Sequence, residues 1–330
     1  MIRTSAALVA LAMFASAAFG DCLVLRKGGK LQVWGAPATV GTAPNQIEVT
    51  PENVELYVDQ STGVIDVEGY DGVTCRKAAA AKQTESFPWS EVVSVFYSSE
   101  PDALAEASDS MAQGNYAQAI GSFREVIEDA DVREGFKHKA QFQIGICYLS
   151  AGQLKNAIAH FKAWKPVNSR YTPEVYRILG EIHIDQRQYA EARALFAEIP
   201  KLPGILDDWK FKARLGGVMV DTAERKFDDA ERMAQTLARE TAGKPEVVDA
   251  HVRSLVLQAD AVLKSGKAER LPDAEAVLDR ASKIEGASPE ARAFLLVTQG
   301  HVLYAQGSMP GKVEAARFPY LRAAYMYPDS

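Results

Sequence analysis

After its first twenty residues the 330-residue chain has no apolar run long enough to cross a bilayer, which excludes an integral membrane segment in the body of the protein. Cysteine is scarce at three residues, and none combines with the five histidines in a zinc-binding spacing. The HExxH, GxSxG, P-loop and GxGxxG patterns are all absent. No metal or cofactor is therefore expected. Positive charge does not dominate either: 37 Lys and Arg stand against 43 Asp and Glu, a net charge of −6. That balance excludes general nucleic-acid binding, which needs a basic footprint. No segment combines a basic polar face with a large apolar one, so a membrane-surface helix is excluded as well. What the chain does have is 47% apolar residues, enough for packed cores, and an ordinary 24% charged residues.

Residues 1–20 read as a leader. Arg3 supplies a positive start, Ala7–Phe19 an apolar stretch too short for a mature membrane span, and Ala18 and Gly20 the small residues of a cleavage site. Cleavage after Gly20 leaves Asp21 as the mature N-terminus; the alternative is an uncleaved anchor. Asp21 before Cys22 does not fit a lipoprotein signal. The mature chain is expected to be soluble and periplasmic or secreted, and loss of Arg3 makes it one charge more negative.

Residues 21–99 alternate with period two, as in β-strands. Two β-rich runs flank Gly28-Gly29, a hairpin signal. QIEVTPENVELYVD, GVIDVEGYDGVTC and VVSVFYS continue in the same style. KAAAAKQTES is either a short helix or a loop. Some five short strands predict a small barrel or sandwich, and the ending FPWSEVVSVFY resembles the last strands of small SH3-like barrels. An oxidising compartment makes Cys22 and Cys75 disulfide candidates. Such a bond would close a loop of roughly fifty residues, worth about 4 kcal/mol in the chain-entropy account; the alternative is two separate thiols. Cys147, inside an apolar helical pattern, reads as a core thiol.

From residue 100 to 330 the period changes to 3.6 and one phrase recurs: GNYAQAIGSF from Gly114, GQLKNAIAHF from Gly152 and RQYAEARALF from Arg187. Copies stand about 35 to 38 residues apart. One unit carries Ile144, Gly145, Tyr148, Gly152, Ala157, Phe161 and Trp164; the next carries Leu179, Gly180, Tyr189, Ala192, Phe196 and Ile199. The first keeps Gly114, Tyr116, Ala119, Phe123 and Val126. The fourth keeps Phe227, Ala230 and Leu237, with Ala234 where an aromatic is expected. Two degenerate units hold Gly266, Ala274, Leu278 and Ala281, then Gly300, Tyr304 and Gly307, the last with a turn lengthened by SMPG. In these residues the chain resembles the tetratricopeptide repeat family. The resemblance implies an all-α superhelical solenoid of about six helix pairs, with small residues letting paired helices approach and aromatics filling the space towards the neighbouring unit.

Most of these residues are therefore packing rather than site. His183 and Asp185 point different ways on a helix, and His183 reads as a repeat-position filler. Asp207-Asp208 and Asp228-Asp229 read as helix-start residues. By the resemblance, the first helix of each pair lines a concave groove, with Lys139, Phe142, Ile146, Arg177 and Glu181 facing inward, and Phe294, His301 and Tyr304 beside them. For Phe142 ordinary core is the competing reading, and for Lys139 and Arg177 plain solvation. The groove lacks the dense Lys/Arg set of a dedicated carboxylate clamp. The expected function is a non-enzymatic envelope scaffold that binds another protein's peptide or helix. The alternatives are an assembly factor for outer-membrane proteins or cell-wall synthesis, or an enzyme with an unrecognised site. The ending FPYLRAAYMYP lacks a polar cap, so Phe318, Tyr320, Tyr325 and Tyr327 are expected either to pack back on the preceding helices or to form an edge for homo-oligomer contacts.

Overall fold

The computed structural model describes residues 20–40, 46–78, 80–97, 100–164, 168–307 and 311–326. The expected leader up to residue 19, most of the SMPG turn and Tyr327 lie outside them. The described residues divide into two compact units between Ala140 and Gln141.

The first unit contains short antiparallel strands: β1 (Cys22–Lys27), β2 (Lys30–Trp34), β3 (Thr39–Val40), β4 (Ile47–Glu48), β5 (Val64–Glu68), β6 (Gly72–Arg76), β7 (Glu85–Pro88) and β8 (Val92–Phe96). They form three small sheets, ordered β2-β1-β8, β3-β4 and β5-β6-β7. The expected hairpin is present. Lys27 pairs with Lys30, and Gly28 and Gly29 take φ of 56° and 78°, the left-handed geometry a tight two-residue turn needs. Among the described residues of KAAAAKQTES none is helical, and the last two open β7.

One strand expectation is corrected. Val54–Gln60 forms two short 3-10 turns joined by a kink at Tyr57 rather than a strand. Its inward residues are Val54, Tyr57 and Val58, at helical spacing, while Leu56 between them is 75% exposed. The Thr50 N–H donates to Asn53 Oδ1 at 2.7 Å, closing the turn that starts this segment.

The second correction concerns the disulfide. All three cysteines are buried and unbonded. Alternation along β1 explains why. Leu23 and Leu25 pack with Trp34, Ile65, Val73, Cys75 and Phe87, whereas Cys22 and Val24 pack with Val40, Val49 and Val54. Cys22 and Cys75 thus belong to the cores on opposite faces of one strand. Burial pushes the Cys22 thiol up to about 11 and the Cys75 thiol up to about 12, so neither is a nucleophile at neutral pH.

A buried ion pair ties this β region to helical residues of the same unit. Asp21 is fully buried; its Oδ2 accepts the Ile65 N–H at 2.9 Å and pairs with the Arg133 guanidinium. Arg133 also lies over the rings of Tyr97 and Phe136, at 5.6 and 5.2 Å. Removing Arg133 would take the guanidinium away from a buried carboxylate, the expensive way to break such a pair.

The helices follow in pairs: α1 (Asp102–Ala112) with α2 (Tyr116–Glu128), α3 (Glu134–Ser150) with α4 (Leu154–Ala163), α5 (Thr172–Asp185) with α6 (Tyr189–Glu198), α7 (Asp207–Ala223) with α8 (Phe227–Thr241), α9 (Val248–Lys264) with α10 (Leu271–Ser282), and α11 (Pro289–Ala305) with α12 (Lys312–Met326). The first pair and the start of α3 belong to the first unit. In five of the six pairs the first helix is followed by a left-handed residue: Gly114, Gly152 and Gly266 adopt it without penalty, and Arg187 and Arg225 do so at φ 59° and 64°. In four of these turns the next N–H reaches back to a helix carbonyl at 2.8 Å: Asn115 to Ser110, Gln153 to Tyr148, Gln188 to His183 and Lys226 to Asp221. That bond is the signature of a Schellman ending and sets the same reversal each time.

Close approach within a pair depends on what lacks a side chain. A Cβ on Gly145 would lie 2.2 Å from Phe161 Cζ, one on Gly180 2.7 Å from Phe196 Cζ, and one on Gly300 2.5 Å from Tyr320 Cε1. Gly216 meets the same Phe196 from the following pair, at 2.4 Å. Phe161 is 1% exposed and joins Val175, Ile178, Leu179 and Ile182 of α5, so one ring fills its own pair and the step to the next. Gly145→Ala and Gly180→Ala should each destabilise by about 1–3 kcal/mol through overpacking. Gly121→Ala, exposed in α2 with nothing within 4 Å of the new Cβ, should gain about 0.5–1 kcal/mol. Urea melts followed by circular dichroism would show the opposite signs.

Candidate binding surface

Lys139 lies in the first unit, where its ammonium donates to Glu100 Oε1 at 2.6 Å. The other four expected groove residues lie in the second. Phe142 is half-buried. It stacks on Tyr171 with centroids 4.8 Å apart and planes 17° apart, and leans on Phe161 at 6.2 Å. Ile146 is partly buried against the same cluster. One edge of Phe142 packs on the core and the rest reaches the surface.

Arg177 and Glu181 sit one turn apart on α5 and are joined by Glu174. Arg177 Nε and Nη2 donate to the two Glu174 oxygens at 2.9 and 2.5 Å, and Nη1 pairs with Glu181. Burial works against the guanidinium charge, but the two carboxylates outweigh it and raise the Arg177 pKa further. A fork held this way is preorganised. The cluster carries one positive and two negative charges, so its net sign suits a basic side chain on a partner. The sequence reading missed Glu174 and Tyr171. Glu174 was findable from its three-residue spacing to Arg177; Tyr171 precedes α5 in a turn, where no periodicity marks it.

Among the more distant candidates, Phe294 packs into two cores and His301 meets Tyr320 edge-on at 5.6 Å. Tyr304 is 64% exposed. At the C-terminal end Phe318 is 71% exposed, but Tyr320 is half-buried against Gly300. The tail thus packs back through Tyr320 and leaves Phe318 outward. His183 is buried, its Nδ1 paired with Gln188 Oε1, as a repeat-position filler should be. Asp207-Asp208 and Asp228-Asp229 occupy the first turns of α7 and α8. Among the described residues no three His, Cys, Asp or Glu converge as metal ligands, and no helix is long and apolar enough to cross a membrane.

Residues 104–170, which hold the first two helix pairs apart from the start of α1, match the tetratricopeptide repeat family. No curated protein matches the chain. Among solved structures the chain is similar to a tetratricopeptide repeat protein from Parabacteroides merdae, at 14% identity and a TM-score of 0.32, covering 67% of this chain and 97% of that one. At that score the likeness adds no weight; the fold assignment rests on the helix pairs and the family match. The chain is thus built of successive helix pairs, tetratricopeptide-like over residues 104–170, with small antiparallel sheets on its N-terminal side. Repeats of this kind generally mediate protein–protein interaction.

Two histidines give the fold a pH dependence. Burial lowers the pKa of His138 against the raising effect of Glu134. It also lowers that of His251, countered by the Ala238 backbone and reinforced by Arg280. The native state therefore prefers both rings neutral. Their contribution is complete above the ordinary value of 6.5 and is lost as pH falls through the depressed native values. Stability should drop on acidification below that point, and His251→Gln should flatten the drop, as read from urea midpoints across a pH series.

Proposed function

We propose that this protein is a non-enzymatic scaffold of a bacterial cell envelope, exported with its leader cleaved near Gly20. On this reading the first helices form a groove that holds an extended peptide or a helix of a partner protein. One observation carries it: on α3 and α5 the packing that builds the stack leaves over a surface set. Phe142 and Ile146 offer partly exposed apolar area next to the preorganised Glu174–Arg177–Glu181 cluster. Apolar anchors beside fixed charges are what a peptide-binding surface needs. The return of β8 to pair with β1 supports reading the N-terminal region as a small SH3-like barrel that covers the start of the repeats.

Crosslinking of the chain in its native envelope, against a Phe142→Ala/Arg177→Ala/Glu181→Ala variant, tests the proposal. We expect a discrete partner to be held by the unmodified chain and lost from the variant, with helicity unchanged. Equal capture by both would remove the binding surface from these helices.

A further inference from the structure

A second feature of the repeats is unused by the reading above, and it lies against second helices rather than on the faces of α3 and α5. A cavity of about 670 Å³ opens between α8 and α10, over one face of α9. Its size is that of a small-molecule site. Ala238 and Leu255 are buried along its wall, and Ile284 adds a partly buried apolar side chain. Arg239, from the last turn of α8, and Arg280, from the last turn of α10, bring two guanidinium groups to it, and no carboxylate lines it.

The two arginines differ from their neighbours. Arg214 pairs with Glu240, Arg232 with Asp229 and Arg270 with Glu231. Arg239 and Arg280 are both exposed; Arg239 donates to the Gln235 carbonyl at 3.4 Å and the Thr236 hydroxyl at 3.2 Å and feels the charge of Glu240, and neither arginine has an ion pair among the described residues. Placement in a last helical turn suits a cation on its own account, at a few tenths of a kcal/mol to about 1 kcal/mol. It does not account for two such cations at one cavity whose lining holds no carboxylate. The polar groups between them are neutral. Gln258 lines the cavity, and so does His251, whose Nδ1 lies 3.0 Å from Thr241 Oγ1. That contact holds the ring in place, and burial together with the field of Arg280 disfavours its charged form.

The geometry points to a binding site for a small anionic ligand: an oxyanion, carboxylate or phosphate monoester, carried on a short apolar chain. Arg239 and Arg280 take the anion, Gln258 and His251 supply neutral hydrogen bonds, and Ala238 and Leu255 receive the chain. A guanidinium binds either oxyanion through two parallel N–H groups, so the head group is the shared chemistry.

The test is calorimetric titration of the full chain with octanoate, octyl phosphate and, as the uncharged control, octanamide. We expect at least one of the two anions to bind, with octanamide at least tenfold weaker; the tighter anion identifies the head group. Arg239→Gln/Arg280→Gln should weaken binding at least tenfold without changing the melting temperature. Ala242→Phe, which keeps both arginines but fills the cavity from the end of α8, should abolish it. The His251 C2–H resonance should shift on titration of the unmodified chain and stay still in the double variant. Failure of both anions to bind, equal binding of octanamide, or unchanged affinity in the double variant would each overturn the assignment.

Discussion

The architecture depends on one steric relation: a residue with little or no side chain in the first helix of a pair faces a large ring from the second. Gly145 with Phe161, Gly180 with Phe196 and Gly300 with Tyr320 are its clear forms. The fourth pair inverts it. Val218 stands in α7 where α3 and α5 have glycine, and Ala234 stands in α8 where α4 and α6 have phenylalanine; both are fully buried in one core. The interface requires a fixed combined size rather than a particular residue on either side, as expected of interiors packed to crystal-like density. Because Phe161 and Phe196 also reach the next pair, the same contact that closes a hairpin of helices positions its successor. The stack therefore propagates by nearest-neighbour packing.

What that packing leaves over is the surface available for binding. Second helices spend their rings inward, and first helices spend their small residues. The side chains that remain, such as Phe142, Ile146 and Arg177 on one side and Arg239 and Arg280 on another, are free to differ from pair to pair. Their supports are local: Tyr171 holds Phe142, Glu174 and Glu181 hold Arg177, and Thr241 holds His251. A repeat scaffold can thus carry unlike surfaces without altering its core.

The repeats were legible in the sequence because their signal is redundant. A left-handed turn residue, a small residue before it and an aromatic after it recur at one spacing, so even Arg187 in a glycine position could be recognised. The β region has no such redundancy. In Val54–Gln60 the alternation of β-favouring residues imitates a strand, while the inward set Val54, Tyr57 and Val58 follows a helical step. Cys22 and Cys75 share an expected compartment and a plausible loop length. Their separation comes from the pleat of β1, a fact of register that spacing along the chain does not record. The cavity between α8 and α10 was illegible for a related reason. Arg239, His251 and Arg280 stand on three helices, and only the fold assembles them. The Glu174–Arg177–Glu181 contacts follow helical spacings of three and four and were within reach of the sequence, whereas Tyr171 precedes α5 in a turn that no periodicity marks.

The most direct test of the steric relation is a double-mutant cycle on Gly180→Ala and Phe196→Leu, read by chemical denaturation. If the glycine exists to admit the ring, the alanine should cost much less once the ring is cut back, with a coupling energy of about 1 kcal/mol or more. Strict additivity of the two substitutions would mean that Gly180 and Phe196 do not define the spacing of the pair, and the account of how this stack is built would fail.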